Sequence, residues 1–450
     1  MASDDYLEEY SLVPWPDLPE DIWHHIPLMP LRDAARAACV SYAFLCNWRC
    51  HPNLIFTKET LSLEQNACRK GDKTHIAITP GIEEITLLLP SKYEGRYSFP
   101  LSLLFDGSGS SIRYIHLMSC TLRPTVGLGC LTSLTKLFLW FVCIIDDEIV
   151  SLLSKSFALE DPFLLLKYCS EIIFLTIPCL LERLDCLTVF ECSNLQMIRS
   201  NAPKVTTFIF SGDPVELSLG ESSQVKKLDM SCSDVHDFIC YSITKLPYLV
   251  PNLINLTLSS VNESINTPTI AAKFLHLKHL EICLDADEAL PPEYDYLSLV
   301  SLHDASPVLE TFMLCISYHS FCNDIYDEPI IQVQQDDMKH ECISEDASHM
   351  RQMPEHKHSN LKNVMILGFC TAKSMVELTC HVLENATSLK SITLDTVYDA
   401  LDEDKIDRCY TTSTRRTGEC APLTRKMISE AKIGSMAIER YILGESSIYC

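Results

Sequence analysis

From about Ile82 onward the chain repeats one short pattern: an apolar residue, two others, an apolar residue, one other, an apolar residue. It reads as Ile112–Ile115–Leu117, Leu134–Leu137–Leu139, Leu184–Leu187–Val189, Val205–Phe208–Phe210, Val225–Leu228–Met230, Leu253–Leu256–Leu258 and Leu277–Leu280–Ile282. Leu309–Phe312–Leu314, Leu361–Val364–Ile366 and Leu389–Ile392–Leu394 continue it. The last two apolar positions are two apart, so they point to one face of a short strand. No single unit can bury that face, but stacked units bury it as one continuous core. The centres Leu187, Phe208, Leu228, Leu256 and Leu280 are 21, 20, 28 and 24 residues apart.

That period resembles the leucine-rich repeat, which recurs every roughly 20–29 residues. The resemblance implies an α/β chain: an irregular, horseshoe-like solenoid of short parallel strands. A cysteine follows the strand at Cys120, Cys169 and Cys192, which resembles the family's Asn/Cys position inside the turn. Asp161-Pro162 breaks one unit, so the strand there is expected to start late or to bulge, because proline cannot donate to a ladder. A polar stretch from about Tyr318 to Ser359 carries Asp336, Asp337, Glu341, Glu345 and Asp346 and reads as a disordered loop. After it, Leu361–Ile366, a helical spacing at Val376, Cys380 and Leu383, and Leu389–Leu394 give a strand–helix–strand. This resembles the FBD region that follows the repeats in plant F-box proteins.

Before the repeats lies a different kind of text. Pro19 suits a first helical turn, and Ile22 and Ile26 share one helical face. Pro27 and Pro30 break that helix; the alanine-rich Leu31–Cys39 restarts it; Ser41 caps a third helix carrying Phe44, Leu45 and Trp48. Some forty residues of this kind bury too little surface to stand alone, so apolar surface is left for a partner. The stretch from Trp15 to Phe56 resembles the three-helix F-box through Leu18, Pro19, Ile22, Ile26, Met29, Pro30, Leu31, Val40, Ser41 and Trp48. Its span from Leu18 to Met29 is one residue shorter than is usual in that family, with Pro27 in the gap. The resemblance implies docking to a Skp-type adaptor, and through it to a cullin, by Leu18, Pro19, Ile22, Ile26, Met29, Pro30, Leu31, Val40 and Trp48. The whole chain thus resembles plant F-box/leucine-rich-repeat proteins. The expected layout is an acidic tail over 1–14, an F-box over 15–56, repeats over 75–317, the polar loop over 318–357, and an FBD-like region with the last repeats over 358–443.

Composition bears on function mostly by exclusion. A net charge of −24 argues against a nucleic-acid partner, which would need a basic face. The longest apolar run, Leu137 to Ile145, is far short of the roughly 20 residues that span a bilayer. The chain holds 22 cysteines but no Cys-x-x-Cys, and no secretory signal opens it. The expected setting is intracellular, cytoplasmic or nuclear, with reduced and mostly buried thiols. Gly107-Ser-Gly-Ser-Ser lacks the Lys-Ser/Thr of a phosphate loop, and no Gly-x-Ser-x-Gly elbow occurs. His340, Cys342, His349, His356 and His358 match no ligand spacing and read as solvated loop residues, while Arg415, Arg416, Arg425 and Lys426 read as solvated surface. No catalytic residue, metal or cofactor is expected.

The strand register sharpens one expectation. Residues alternating with the buried positions face the other way. They are Tyr114 and His116, Phe138 and Trp140, and Phe190, then Asn255 and Thr257, His279 and Glu281, Ser391 and Thr393. Large aromatics on a solvent face are typical binding anchors, so Tyr114, His116, Phe138, Trp140 and Phe190 are the candidate target-binding residues. The alternative is that the rings pack on the F-box or on one another. The function expected is a substrate receptor of an SCF-type (Skp–cullin–F-box) ubiquitin ligase, not itself an enzyme. The alternative is a repeat scaffold that binds a protein partner without ubiquitin chemistry.

Overall fold

The computed structural model describes residues 53–57, 82–91, 97–99, 111–123, 131–159, 164–220, 224–232, 237–261, 263, 272–286, 294–318, 351, 357–370, 372–396, 434–436 and 438–442. The chain divides into two compact units, one up to Phe163 and one from Leu164.

The first unit is a parallel sheet of β1 (Asn53–Thr57), β2 (Glu84–Leu88), β3 (Tyr114–Met118) and β4 (Lys136–Trp140), in chain order. Its buried row runs Leu54, Ile85, Ile115, Leu137, each the register partner of the next. A second row, Leu87–Leu117–Leu139, lies beside it. All of these are essentially closed to solvent, and each such side chain contributes roughly 1.5–3 kcal/mol. The return path after β4 is helix α1 (Asp146–Ser154), whose first turn carries Asp146, Asp147 and Glu148 at the positive end of its dipole. Glu148 accepts from the Ile145 N–H at 3.0 Å and from Arg123 at 2.8 Å.

The second unit repeats the theme. Its parallel sheet takes the order β5-β7-β9-β11-β12-β13-β14-β15-β16. The strands are β5 (Leu164–Lys167), β7 (Cys186–Phe190), β9 (Thr207–Ser211), β11 (Lys227–Cys232), β12 (Asn255–Val261), β13 (His279–Ala286), β14 (Thr311–Tyr318), β15 (Asn363–Leu367) and β16 (Ser391–Asp395). Leu164, Leu187, Phe208, Leu228, Leu256, Leu280, Phe312, Val364 and Ile392 form one continuous register row. The repeat centres named from the sequence are therefore true neighbours. β5 starts two residues past Pro162, in keeping with a late start.

Return paths differ along this unit. Early ones are extended: β6 (Phe174–Ile177), β8 (Met197–Ser200) and β10 (Glu216–Ser218) pair in parallel as a small separate sheet. Three later ones are helical: α2 (Phe238–Leu249), α3 (Val300–Ala305) after a 3-10 turn at Tyr296–Leu299, and α4 (Lys373–Asn385). A π-helical turn at Ile438–Ile442 comes last. Glu263, fully buried, accepts from the Ile239 N–H at 3.1 Å and from the Ser260 hydroxyl at 2.8 Å. It thus supplies a carboxylate to the first turn of α2.

A backbone feature recurs at the strand ends. Ser119, Phe141, Tyr168 and Glu191 each directly follow a strand and sit at φ 56°, 52°, 54° and 48°. This left-handed residue turns the chain sharply out of the sheet, against a cost of roughly 1–2 kcal/mol for a residue with a Cβ. At Gly368, φ 76°, the same turn needs glycine, since a Cβ would be driven into the Ile316 carbonyl. Next to these turns Cys120, Cys169 and Cys192 are buried, and the Cys169 and Cys192 thiols donate to the Lys167 and Phe190 carbonyls at 3.7 and 3.5 Å.

Four differences from the sequence reading stand out. The strand ladder begins at Asn53, inside the stretch assigned to the F-box and ahead of residue 75. His358, read as a solvated loop residue, is buried. Arg351, read as part of a disordered loop, is fixed by ion pairs to Asp295 and Glu377, both at 2.7 Å. Leu383, read on the helical face of α4, is exposed; Met375, Val376, Leu378 and Val382 are the residues that pack. Apart from Tyr318, which ends β14, Arg351 and residues 357–359, the polar stretch is outside the described residues, as are His340, Cys342, His349, His356 and the basic cluster at Arg415–Lys426.

Candidate functional site

Each sheet has a buried face and an open face, and the register turns the open face into a grid. In the first unit the rows are Asn53–Glu84–Tyr114–Lys136, Ile55–Thr86–His116–Phe138 and Thr57–Leu88–Met118–Trp140. Four of the five expected target-binding residues meet here. Tyr114, His116, Phe138 and Trp140 are all half-buried, on two adjacent strands. The Tyr114 and Phe138 ring centroids are 5.5 Å apart and those of His116 and Phe138 are 5.6 Å apart, both tilted. The Tyr114 hydroxyl is 3.5 Å from His116 Nδ1. Trp140 stacks on Phe141 at 6.3 Å and 13°.

The rings thus lean on one another and stay partly open to solvent. Burial lowers the affinity of His116 for a proton, so its imidazole is neutral at neutral pH. Burial, and then the charge of Glu84, raises the Tyr114 phenol, which therefore stays a donor. Ile55, well exposed, and the half-buried Leu88 and Met118 complete an apolar surround.

Phe190 belongs to the second unit and has a different setting. Lys167 is its register partner, and the Lys167 ammonium lies 5.4 Å from the ring centroids of both Phe190 and Tyr168. A cation over aromatic faces is attracted by the ring quadrupole. From there the row runs Ser211–Ser231–Ser259–Cys283–Cys315–Leu367–Asp395. The neighbouring row holds Ile209–Asp229–Thr257–Glu281–Met313–Met365–Thr393. Small hydroxyls, thiols and carboxylates thus replace rings across the middle of this face.

Sequence reasoning missed a second cluster. His303, on α3, makes edge contacts with Phe312 at 4.5 Å and His358 at 5.3 Å, and His358 meets His381 of α4 at 5.9 Å. All three imidazoles are buried. They come from three distant segments, so no local spacing could announce them. Arg351 closes the same region by pairing with Asp295, before α3, and with Glu377, on α4.

A model of one family matches residues 55–328 and 325–448, which takes in the first unit from β1 onward and nearly all of the second. The chain belongs to the At1g61320/AtMIF1 leucine-rich-repeat domain family. This is a plant-type leucine-rich-repeat domain, and its long array of parallel strands is the architecture described above. No curated protein matches the chain. The At1g61320/AtMIF1 match starts inside β1, so the expected adaptor-binding residues Leu18, Pro19, Ile22, Ile26, Met29, Pro30, Leu31, Val40 and Trp48 precede it and lie outside the described residues. Among the described residues no helix is long and apolar enough to cross a membrane.

Proposed function

We propose that the chain is a non-catalytic protein receptor that anchors its partner on the aromatic grid of β3 and β4. A leucine-rich-repeat domain suggests a protein-interaction scaffold. The observation that carries the reading is the half-buried Tyr114–His116–Phe138–Trp140 patch, in which Phe138 packs on Tyr114 and His116 and Trp140 stacks on Phe141. Rigid aromatic anchors lose little freedom on binding, and such residues dominate interface energetics. Proximity labelling in plant cells compares the wild-type chain with a Phe138→Ala, Trp140→Ala variant. A partner set lost in the folded variant supports the reading; an unchanged set overturns it.

The finer proposal is a substrate receptor of an SCF-type ubiquitin ligase. Residues 15–52, ahead of β1, would form the F-box and grip a Skp-type adaptor that links to a cullin, in the cytoplasm or nucleus. β15, α4 and β16 would belong to an FBD-like region. Catalysis would then be proximity alone, with a target held near the ubiquitin-conjugating enzyme. The support is the order of Leu18, Pro19, Ile22, Ile26, Met29, Pro30, Leu31, Val40 and Trp48 ahead of the repeats. Co-expression with a Skp-type adaptor tests it. A complex that survives gel filtration and is lost on Leu18→Ala with Ile22→Ala supports it. A folded chain that forms no complex leaves the plain scaffold reading.

A further inference from the structure

On the open face of the second unit, Cys283 of β13 and Cys315 of β14 are register partners. Glu281 stands two residues before Cys283 on the same face, and the Cys283 thiol points to its carboxylate at 3.9 Å. The two sulfurs and one Glu281 oxygen all lie within 4.8 Å of one another. Among the described residues no other group of three such donors converges in this way. We propose that Glu281, Cys283 and Cys315 bind one thiophilic metal ion of the zinc class.

The donor chemistry fits. Cysteine sulfur and glutamate oxygen are both donors that Zn²⁺ accepts, and thiolates select it over harder cations. Bonds of about 2.3 Å to sulfur place tetrahedral donors roughly 3.7 Å apart. Side-chain rotation closes the remaining gap, and the paired strands stay where they are. Binding breaks two S–H bonds, releases two protons, and leaves both sulfur electron pairs on the metal. Two thiolates and one carboxylate around a divalent ion leave a single net negative charge. The three donors leave the fourth tetrahedral position for water or for a donor on a bound partner.

The surroundings favour a cation. Asp285 lies two residues beyond Cys283 on the same face and adds a further carboxylate beside the three donors. Ser259, the register partner on β12, and Leu367, beyond Cys315 on β15, bring no charge to the row. The sequence could not show this site. Its two cysteines sit one repeat and one return path apart, with no Cys-x-x-Cys spacing, and only the strand register puts them side by side.

The test uses the full chain, reduced, stripped with a chelator, and titrated with Co²⁺ as a coloured stand-in that Zn²⁺ then displaces. The expected result is one Co²⁺ per chain with thiolate-to-cobalt charge-transfer absorption. Cys179→Ser, at an exposed thiol elsewhere, keeps that absorption. Cys283→Ser and Cys315→Ala each lose it. Glu281→Gln loses at least the roughly 10–100-fold in affinity that even outer-shell changes cost. Circular dichroism confirms that each variant folds; if the buried Cys315→Ala does not, the half-buried Cys283→Ser decides. The proposal is overturned by a wild-type chain without the absorption or by absorption that persists in Cys283→Ser. It is also overturned by a Cys283–Cys315 disulfide whose reduced form takes up no metal.

Discussion

The two units build their buried rows alike and their open faces differently. Leu54–Ile85–Ile115–Leu137 in one matches Leu187–Phe208–Leu228–Leu256 in the other, residue for residue in kind. Opposite those rows, the first unit carries Tyr114, His116, Phe138 and Trp140, and the second carries Ser211, Ser231, Ser259 and Cys283. One set of alternate positions makes the fold, and the other is free to vary. The difference teaches that the buried register of the strands can be held constant while the interleaved one changes its chemistry.

The sharpest way to break this comparison is to cut a buried row. Phe312→Ala removes a fully closed ring and should cost about 3–5 kcal/mol, and Leu137→Ala in the first unit about 2–5 kcal/mol. Urea unfolding measures both, and a cost under 1 kcal/mol at either site would deny that the rows are equivalent. Next in size is a tie found in the second unit. Arg351→Ala strands the buried Glu377 carboxylate and should cost about 2–3 kcal/mol, discounted because Arg351 itself is half exposed. Restoration of stability by Glu377→Gln in the same chain would confirm that the stranded charge is the cause.

Acid should separate the units further. Burial, then His358 and His381, press the His303 imidazole down to about 3. Unfolded, it titrates near 6.5, so between those values the unfolded chain binds more protons and stability rises with pH. The contribution is whole above pH 6.5 and lost as pH falls, by about 2 kcal/mol between pH 6.5 and 5. Thermal melts across that range check it, and His303→Gln should flatten the slope. The smallest expected effect is on the open face. Thr257→Ala should change stability by less than about 0.5 kcal/mol, because alternate positions carry little of the fold.

Much of this was legible in the sequence. The triplets gave strand centres that proved to be register partners, because apolar spacing of two is a direct image of a one-sided strand. β1 was missed because Asn53-Leu54-Ile55-Phe56-Thr57 holds a single buried position and follows a helical text. β6, β8 and β10 were missed because three or four residues carry too little periodicity to stand out. The aromatic grid could be read by alternation alone. The histidine cluster and the Glu281–Cys283–Cys315 group could not, since each joins segments that only the folded register makes neighbours.

The register also makes the domain divisible. Phe208 and Leu228 are partners exactly one 20-residue period apart, so residues 208–227 can be excised with strand phase preserved. In such a solenoid each repeat touches only its neighbours, and the loss is one repeat and one interface. The excision would slide Phe190 up beside Ser231 and leave every buried partner of the same kind. Side chains on the open face can therefore be moved laterally in whole steps, and this chain can be re-spaced to ask how far apart two of its contacts may lie before a partner lets go.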